Sequence, residues 1–211
     1  LDSGRVAAYA DAIESLHDEG VELGIVVGGG GVARDYIRTA RELGANEMEL
    51  DQLGIGVTRL NARLLVAALG ERAAPTPPEA YEDAAVAFRR GDVPVLGGMI
   101  PGQTTDAVSA ALAETVGADV LVYATSVDGV YTADPGENPE ATKYDEIATD
   151  ELVDIIGDIE MTAGSNAPID LLGAKIVQRS GTRTLVLDGE DPADVYEAVA
   201  NGNHDGTEVV P

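Results

Sequence analysis

The chain of 211 residues has no cysteine, no tryptophan and a single phenylalanine. The absence of cysteine excludes disulfide bonds, thiolate metal sites and cysteine nucleophiles. Hydrophobic residues make up 45% of the sequence, but aromatic residues make up only 4%. The core must therefore consist mainly of Val, Leu, Ile and Ala side chains.

Lysine is scarce as well, since Lys143 and Lys175 are the only lysines among 13 basic residues. The chain has 38 acidic residues and a formal net charge of −25 at pH 7. Nucleic-acid-binding proteins normally carry a basic patch, so this charge argues against DNA or RNA as a partner. The acid excess indicates either adaptation to high salt, where ions screen the self-repulsion of the chain, or an ordinary acidic cytosolic protein.

Long apolar runs and targeting signals are missing too. No uninterrupted apolar run approaches the roughly 20 residues that a membrane-spanning helix needs. No signal peptide is visible, although the sequence begins with Leu1. His17 and His204 are far apart and show no spacing typical of metal ligands. We therefore expect a cytoplasmic protein with no membrane partner, and we assign no metal-ligating residue.

Strand-like and helix-like segments alternate along the chain. Apolar periodicity predicts helices over residues 3–19, with Ser3 as N-cap, and over 32–43, 53–69, 79–90, 105–116, 149–156, 168–180 and 192–201. Apolar runs predict strands over residues 21–27, 93–96, 119–125, 183–187 and 207–210, the last at an edge. This alternation is typical of an α/β fold with a mainly parallel sheet and helices on both faces. No linker divides the chain, so a single domain over residues 1–211 is predicted.

The first candidate site is the run of four glycines at residues 28–31, between a predicted strand and a predicted helix. Without side chains, backbone N–H groups can approach a phosphate closely, and the helix start adds a favourable partial charge. Arg34 lies about one turn into this helix, within reach of an anion. The run also fits a tight turn that uses glycine only for its backbone geometry.

The second candidate site is Gly-Gly-Met-Ile-Pro-Gly-Gln-Thr-Thr-Asp at residues 97–106, again between a strand and a helix. Thr104 and Thr105 start the helix, where hydroxyl and free N–H groups can bind a second phosphate. Asp106 is placed to orient a catalytic group or a hydrated Mg²⁺ ion. A capped helix is the alternative, with Thr104 as N-cap and Asp106 favoured by the helix dipole.

The third candidate segment covers residues 125–135 and leaves the end of a predicted strand. Tyr131 is suited to pack against a nucleobase, and Asp134 to accept hydrogen bonds from a base or ribose. A polar loop without function fits this segment equally well. Arg59 and Arg63, one turn apart on a predicted helix, are interpreted as structural or as part of a subunit contact.

In this order, the three segments and the motif Asp-x-x-Gly-Ile at residues 51–55 resemble UMP kinases of the archaeal type, a family with the amino acid kinase fold. The resemblance runs from residue 5 to the Asp-Gly-Thr at residues 205–207. It implies a three-layer α/β/α sandwich with a mainly parallel central sheet. It also implies transfer of a phosphoryl group from ATP to UMP with Mg²⁺, in pyrimidine nucleotide biosynthesis. The implied assembly is a homo-oligomer, a hexamer built as a trimer of dimers.

The resemblance also implies roles for single residues. The residues implied to bind UMP are Gly29, Asp51, Met99, Ile100, Pro101, Gly102, Gln103, Thr104 and Thr105. Those implied to bind ATP are Gly30, Arg34, Thr125, Ser126, Tyr131 and Asp134. The implied catalytic residues are Asp106, Asp170 and Arg34. Asp51 resembles the ribose-binding aspartate of the family.

The chain departs from the family pattern in three places. The family begins with a strand that ends in Ile-Gly-Gly-Ser, whereas this chain starts after it; we expect that this strand is lost, disordered or truncated. Met99 and Ile100 stand where the family often has a polar pair. Ser126 replaces a common Asn, and Gly31 replaces a common Lys.

Two other functions are compatible with the sequence. One is a kinase of the same fold that acts on acetylglutamate, carbamate or isopentenyl phosphate. The other is a nucleotide-binding or storage module on the same fold, without catalysis. The Thr-Thr-Asp at residues 104–106 and the nearby Asp51 favour a nucleotide acceptor.

Overall fold

The computed structural model describes residues 2–133, 135, 138, 140–160 and 169–211, without the side chains of residues 158–160. The chain forms two compact units, Leu1–Val116 and Gly117–Pro211. Each unit contains parallel strand pairs together with helices, as the alternation in the sequence predicts.

The first unit contains helices and two short strands that alternate along the chain. Its elements are α1 (Ser3–Asp18), β1 (Ile25–Val26), α2 (Gly30–Glu42), α3 (Glu47–Leu69), a 3₁₀ turn (Gly70–Arg72), α4 (Tyr81–Arg89), β2 (Val95–Leu96) and α5 (Thr105–Val116). Strands β1 and β2 pair in parallel, with Ile25 opposite Val95 and Val26 opposite Leu96. The segments that follow the two strands therefore start side by side.

Strand β1 is shorter than the predicted strand over residues 21–27. The Ile25 N–H donates to the Pro94 carbonyl, and the Val27 N–H donates to the Leu96 carbonyl. Pro94 has no N–H group, so it cannot donate to the ladder on the amino-terminal side of β2. This explains why the pairing begins only at Ile25.

The capping residue of α1 and the start of α3 differ from the prediction. The Asp2 carboxylate accepts hydrogen bonds from the N–H groups of Gly4 and Arg5, so Asp2 and not Ser3 is the N-cap of α1. Helix α3 begins well before residue 53, because Asn46 and Glu49 form a reciprocal capping box. As a consequence, the predicted site residue Asp51 lies inside a helix.

Helix α3 packs against α1, α2 and β2 of the first unit. Its residues Ala62, Leu65 and Leu69 are buried with Ile13 of α1 and Val95 of β2. By length and composition, Glu47–Arg72 is also apolar enough to cross a membrane, with a mean hydropathy of 1.3. Core helices pass the same test, and the packing of α3 accounts for the apolar residues on its inner face.

The second unit contains a four-stranded sheet and three helices in the described part of the chain. Its elements are β3 (Leu121–Thr125), β4 (Glu146–Ala148), α6 (Thr149–Glu160), α7 (Leu171–Ser180), β5 (Thr184–Asp188), α8 (Pro192–Asn201) and β6 (Thr207–Val210). The strand order is β3-β5-β6-β4, with β5 and β6 antiparallel and the other two pairs parallel. The sheet is therefore mainly parallel, as predicted.

The position of β6 corrects one prediction. Residues 207–210 were expected at an edge, but β6 lies between β5 and β4. Strand β4 was not predicted, because its three residues bury only Ile147 and follow a long polar stretch. The expectation of an edge strand is wrong because the partner on one side of β6 could not be recognised from the sequence.

Candidate active site

Two glycine-rich loops leave the neighbouring strands of the first unit. Residues 28–31 follow β1 and lead into α2, and residues 97–104 follow β2 and lead into α5. Both loops lie at the carboxyl ends of parallel strands, where ligands bind in open α/β sheets. A Cβ atom built on Gly28 would lie 4.0 Å from the Thr105 Oγ1 atom. The structure therefore brings together the two loops that were predicted to bind phosphates.

Backbone geometry accounts for only part of the first glycine run. A Cβ atom on Gly29 would lie 2.4 Å from the Ala33 Cβ atom, and Gly30 has a φ of +58°. A side chain is therefore disfavoured at both positions. Gly31 has a different environment, because a Cβ atom there would meet nothing within 4 Å. The start of α2 thus has open space in front of N–H groups that have no partner within the helix.

Arg34 follows in the second turn of α2. Its side chain is exposed, and among the described residues its guanidinium has no hydrogen-bond or ion-pair partner. An uncompensated cation close to a helix start is suited to bind a phosphate oxygen. The position agrees with the predicted role of Arg34 as an anion contact.

The second loop approaches α3 so closely that glycine is required. A Cβ atom on Gly97 would lie 2.6 Å from the Arg59 backbone nitrogen, and one on Gly98 would lie 3.0 Å from Ile55 Cγ1. The Gly98 N–H donates to Thr58 Oγ1 at 2.7 Å. The loop is therefore held against the helix by its backbone.

The side chains in this loop point in different directions. Met99 is only 8% exposed and packs in the core with Leu96 and Val108, whereas Ile100 is 61% exposed. The Gln103 side-chain oxygen accepts a hydrogen bond of 3.1 Å from the Tyr81 hydroxyl. A contact from Met99 to a ligand must therefore come from its backbone.

Asp51 is brought to the second loop from the first turns of α3. Its carboxylate oxygen Oδ2 accepts a hydrogen bond of 2.7 Å from the Gly102 N–H. Gly102 has a φ of +80°, a conformation that favours glycine. The structure therefore places the predicted ribose ligand Asp51 in contact with the predicted UMP loop.

The start of α5 has the cap that was predicted as an alternative. Thr104 Oγ1 accepts a hydrogen bond of 3.1 Å from the Ala107 N–H, which confirms Thr104 as a capping residue. Thr105 and the half-buried Asp106 are the first two residues of the helix. Capping uses one hydroxyl group, and the N–H groups of the first turn can still bind an anion.

The third predicted segment belongs to the second unit and follows β3. The Thr125 hydroxyl donates a hydrogen bond to the Val127 carbonyl and accepts one from the Val127 N–H, each at 3.0 Å. Ser126 is exposed. The Tyr131 hydroxyl donates to Asp128 Oδ1 at 2.8 Å. Asp134 lies outside the described residues.

Hydrogen bonds anchor this segment to other residues of the second unit. The Val130 N–H donates to Thr207 Oγ1 at 2.8 Å, and the Thr207 hydroxyl donates to the Tyr144 carbonyl at 2.6 Å. Lys143 Nζ binds Asp128 Oδ2 at 3.0 Å and the Asp205 carbonyl at 2.7 Å. Asp128 and Val130 of this segment are therefore held by defined partners.

The charges in this anchor stabilise one another. The hydrogen bond from Lys143 is the main reason why the pKa of Asp128 lies below its ordinary value. The same carboxylate raises the pKa of Lys143 and, through its hydrogen bond, the pKa of the Tyr131 hydroxyl. At neutral pH, Asp128 is ionised and Tyr131 stays protonated as a donor.

Asp170 is the N-cap of α7 in the second unit. Its Oδ1 atom accepts a hydrogen bond of 3.0 Å from the Gly173 N–H. In the described ranges no group of three or more His, Asp and Glu side chains is arranged to hold a metal ion.

The sequence did not predict that three polar residues of α3 hold the two loops, although Arg59 was interpreted as structural or as part of a subunit contact. Asn61 Nδ2 donates to the carbonyl oxygens of Gly28 at 2.9 Å and Gly29 at 3.4 Å. Thr58 and Arg59 bind the backbone of the second loop. Their signal is weak, because the partners lie 32 to 40 positions away in the sequence. Helix α3 carries other polar residues as well, such as Asp51 and Arg63, so polarity alone could not have singled these three out.

Comparison with known proteins identifies relatives over the whole chain. The model of the Amino acid kinase family matches residues 1–188. The chain is 67% identical over 211 residues to a uridylate kinase from Haloarcula marismortui, covering 100% of this chain and 92% of that protein. It is 64% identical over 211 residues to a uridylate kinase from Halobacterium salinarum, covering 100% of this chain and 88% of that protein.

A solved structure shows the same fold. The crystal structure of uridylate kinase from Archaeoglobus fulgidus matches with a TM-score of 0.89 and 43% identity, over 99% of this chain and 94% of that one. The match confirms the predicted fold class, an α/β/α sandwich with a mainly parallel sheet. The predicted resemblance to archaeal kinases of this type is confirmed as well.

Proposed function

We infer that the chain, which belongs to the amino acid kinase family, transfers the γ-phosphoryl group of ATP to UMP and forms ADP and UDP. The uridylate kinases at 67% and 64% identity over the full chain support UMP as the acceptor. This reaction is a step in pyrimidine nucleotide biosynthesis, and we place it in the cytoplasm.

One observation carries the proposal. Two glycine loops follow the paired strands β1 and β2, and each leads into the start of a helix. The loops are close together, because a Cβ atom built on Gly28 would lie 4.0 Å from Thr105 Oγ1. A helix start with free N–H groups binds an anion. Two such starts at one sheet edge suit a reaction in which a phosphoryl group passes between two phosphorylated ligands.

The proposed reaction needs no general base. A phosphate oxygen of UMP attacks the γ-phosphorus of ATP, and the bond to the oxygen that bridges to the β-phosphate breaks, so the electron pair leaves on ADP. The attacking phosphate is already largely ionised at neutral pH, because its second pKa is about 6. The protein therefore contributes positioning and stabilisation of charge.

We assign the acceptor to the second loop. In this assignment Asp51 binds the ribose of UMP. The rest of UMP is held by Gly29 and by the loop residues Met99, Ile100, Pro101, Gly102, Gln103, Thr104 and Thr105. The contact between Asp51 and the Gly102 N–H supports this assignment, because it brings the carboxylate to the same loop. The second oxygen of Asp51 can accept a hydrogen bond from a ribose hydroxyl.

For the donor, ATP, we assign its phosphates to Gly30 and Arg34. Its base and ribose are assigned to Thr125, Ser126, Tyr131 and Asp134. Arg34 has no competing acidic partner in the described chain, which suits a residue that offsets negative charge on the transferred group. For Asp170 we propose the catalytic role that the resemblance implies. Tyr131 would offer its ring, because its hydroxyl is engaged by Asp128.

A magnesium ion bound with ATP fits the residues that are present. Mg²⁺ is usually held by one or two carboxylates together with substrate phosphates, and it does not need a cage of protein ligands. Asp106 supplies one half-buried carboxylate at the start of α5. Bound there, the ion would offset the charge of the phosphates.

The proposal also includes a homo-oligomer. Helix α3 has an outer row of apolar side chains, with Leu53 37%, Leu60 60% and Leu64 41% exposed. Such a row on a helix marks a surface for protein contact. We propose it as the dimer contact within a hexamer.

The proposed function is tested by an acceptor panel. Release of ADP from ATP and Mg²⁺ is measured with UMP, CMP, acetylglutamate, carbamate or isopentenyl phosphate as acceptor. We expect UMP to give the highest kcat/KM. A higher value with a non-nucleotide acceptor would indicate another kinase of the fold. No ADP from any acceptor, with nucleotide binding intact, would indicate a binding module instead.

A further inference from the structure

The guanidinium of Arg59 joins three parts of the first unit. Its Nε atom donates to the Gly98 carbonyl at 3.0 Å, and its Nη2 atom donates to the Met99 carbonyl at 3.2 Å. Its Nη1 atom binds the Glu79 carboxylate at 2.7 Å. Each of the three nitrogens thus has one partner, and two of these partners are consecutive backbone carbonyls of the second loop.

The neighbouring residue completes this attachment. Thr58 Oγ1 accepts a hydrogen bond from the Gly98 N–H, so the Thr58–Arg59 pair binds the N–H and the carbonyl of the same residue. The Thr58 hydroxyl in turn donates to the Ile55 carbonyl at 2.7 Å, which fixes its orientation. The start of the loop is therefore fixed to α3 at several points.

The attachment also determines where the rest of the loop lies. Four residues after Gly98, the Gly102 N–H reaches Asp51 on the same helix. Asn61, one turn from Thr58, binds the carbonyl oxygens of Gly28 and Gly29 in the first loop. Helix α3 thus holds both glycine loops, and of the two loops Arg59 binds the second one.

We propose that Arg59 is a positioning residue for the acceptor nucleotide: it fixes the backbone of residues 98–99 on α3 and so orders the loop that binds UMP. Arg59 touches no reacting atom in this role. The kinetic part of this inference rests on the proposed function, whereas the ordering of the loop does not.

Arginine is suited to this role in a way that lysine is not. Its planar guanidinium presents donors in a fixed fork, whereas a lysine ammonium is a single point on a flexible stem. Arg59→Lys keeps the positive charge near Glu79 but cannot bind both carbonyls and the carboxylate with the same geometry. The substitution therefore separates charge from geometry.

The test compares Arg59→Lys with Arg63→Lys. Arg63 lies one turn further along α3, is exposed, and has no hydrogen-bond or ion-pair partner in the described part of the first unit. Hydrogen–deuterium exchange is measured in the nucleotide-free full chain, followed by KM for UMP, KM for ATP and kcat. We expect faster exchange over residues 97–103 only in Arg59→Lys. We also expect its KM for UMP to rise about tenfold, whereas its KM for ATP should be nearly unchanged. A tenfold rise corresponds to the loss of a hydrogen-bonded contact of about 1.4 kcal/mol.

Equal exchange over residues 97–103 in both variants would overturn the proposal. So would faster loop exchange in Arg59→Lys with equal rises in the two KM values, because that result indicates general loosening of the fold. If the wild-type protein does not phosphorylate UMP, the proposed function fails. The comparison of loop exchange between the two variants then still decides whether Arg59 orders the loop. Should Arg59→Lys fail to fold, Arg59→Gln replaces it, because a single side-chain amide cannot bind both loop carbonyls and Glu79 either. Faster loop exchange in that variant supports the proposal, and unchanged exchange contradicts it.

Discussion

At the scale of single residues, structural and binding roles coincide in the same groups. The Asp51 carboxylate accepts the Gly102 N–H and is also the proposed ribose ligand. Thr104 caps α5 and belongs to the proposed acceptor loop. A carboxylate offers about four lone-pair positions, and a hydroxyl offers both a donor and two acceptors, so one structural bond does not exhaust either group. A cap is therefore no evidence against a ligand role.

Asp106 permits a sharp test of the proposed chemistry. Asp106→Asn keeps the size of the side chain and removes its charge, so we expect the variant to fold but to turn over about 10²–10³ times more slowly, the range seen when one group that stabilises transition-state charge is removed. The measurement is kcat with saturating ATP, Mg²⁺ and UMP, together with a circular dichroism spectrum.

Asp83→Asn is the matched control for this change. Asp83 is exposed and also lies in the first turn of a helix, α4, so the helix dipole acts on both residues. We expect Asp83→Asn to retain the kcat of the wild type. A kcat for Asp106→Asn close to that of Asp83→Asn would remove Asp106 from the mechanism.

At the scale of elements, the sequence predicted best what depends on local signals. Helices over residues 105–116 and 192–201 have the predicted bounds, because caps and apolar periodicity mark both ends. The beginning of α3 was missed although its capping box, Asn46 and Glu49, is a local signal. The helix was predicted from its apolar periodicity, which becomes regular only from residue 53.

Contacts between distant segments could not be read from the sequence. Strand β6 was expected at an edge, and its pairing with β4 joins residues more than 60 positions apart. Arg59 was interpreted as structural or as part of a subunit contact, and its bond to the Gly98 carbonyl spans 39 positions. The glycines of the loops were predicted as a backbone feature, but their close approach to α3 and to Ala33 depends on packing. Local patterns therefore located the loops, and only the structure showed what holds them.

At the scale of the whole molecule, the net charge of −25 is the dominant feature. Ion pairs do little to offset the resulting repulsion, because those in the described residues are surface pairs such as Arg72 with Asp18, Lys143 with Asp128 and Arg183 with Glu208. Such exposed pairs contribute little to stability, because solvent and salt screen them. Repulsion among the unpaired carboxylates therefore opposes folding at low ionic strength.

We expect the free energy of unfolding to rise with salt. The Debye length falls from about 10 Å at 0.1 M to about 3 Å at 1 M salt, which screens the repulsion between carboxylates more than it weakens the few exposed pairs. Urea-unfolding midpoints are compared at these two KCl concentrations, because urea is uncharged. A midpoint that is unchanged or lower at the higher concentration would show that the acidic surface is not an adaptation to salt.

The most direct measurement is to follow the phosphoryl group itself. The protein is incubated with ATP labelled at the γ-phosphate, Mg²⁺ and UMP, and the labelled products are separated. If the two glycine loops on β1 and β2 hold donor and acceptor, the label will appear in UDP, with one labelled UDP for each ADP formed and none without UMP. Label released as inorganic phosphate, or ADP formed without UDP, would contradict phosphoryl transfer between two nucleotides at this site.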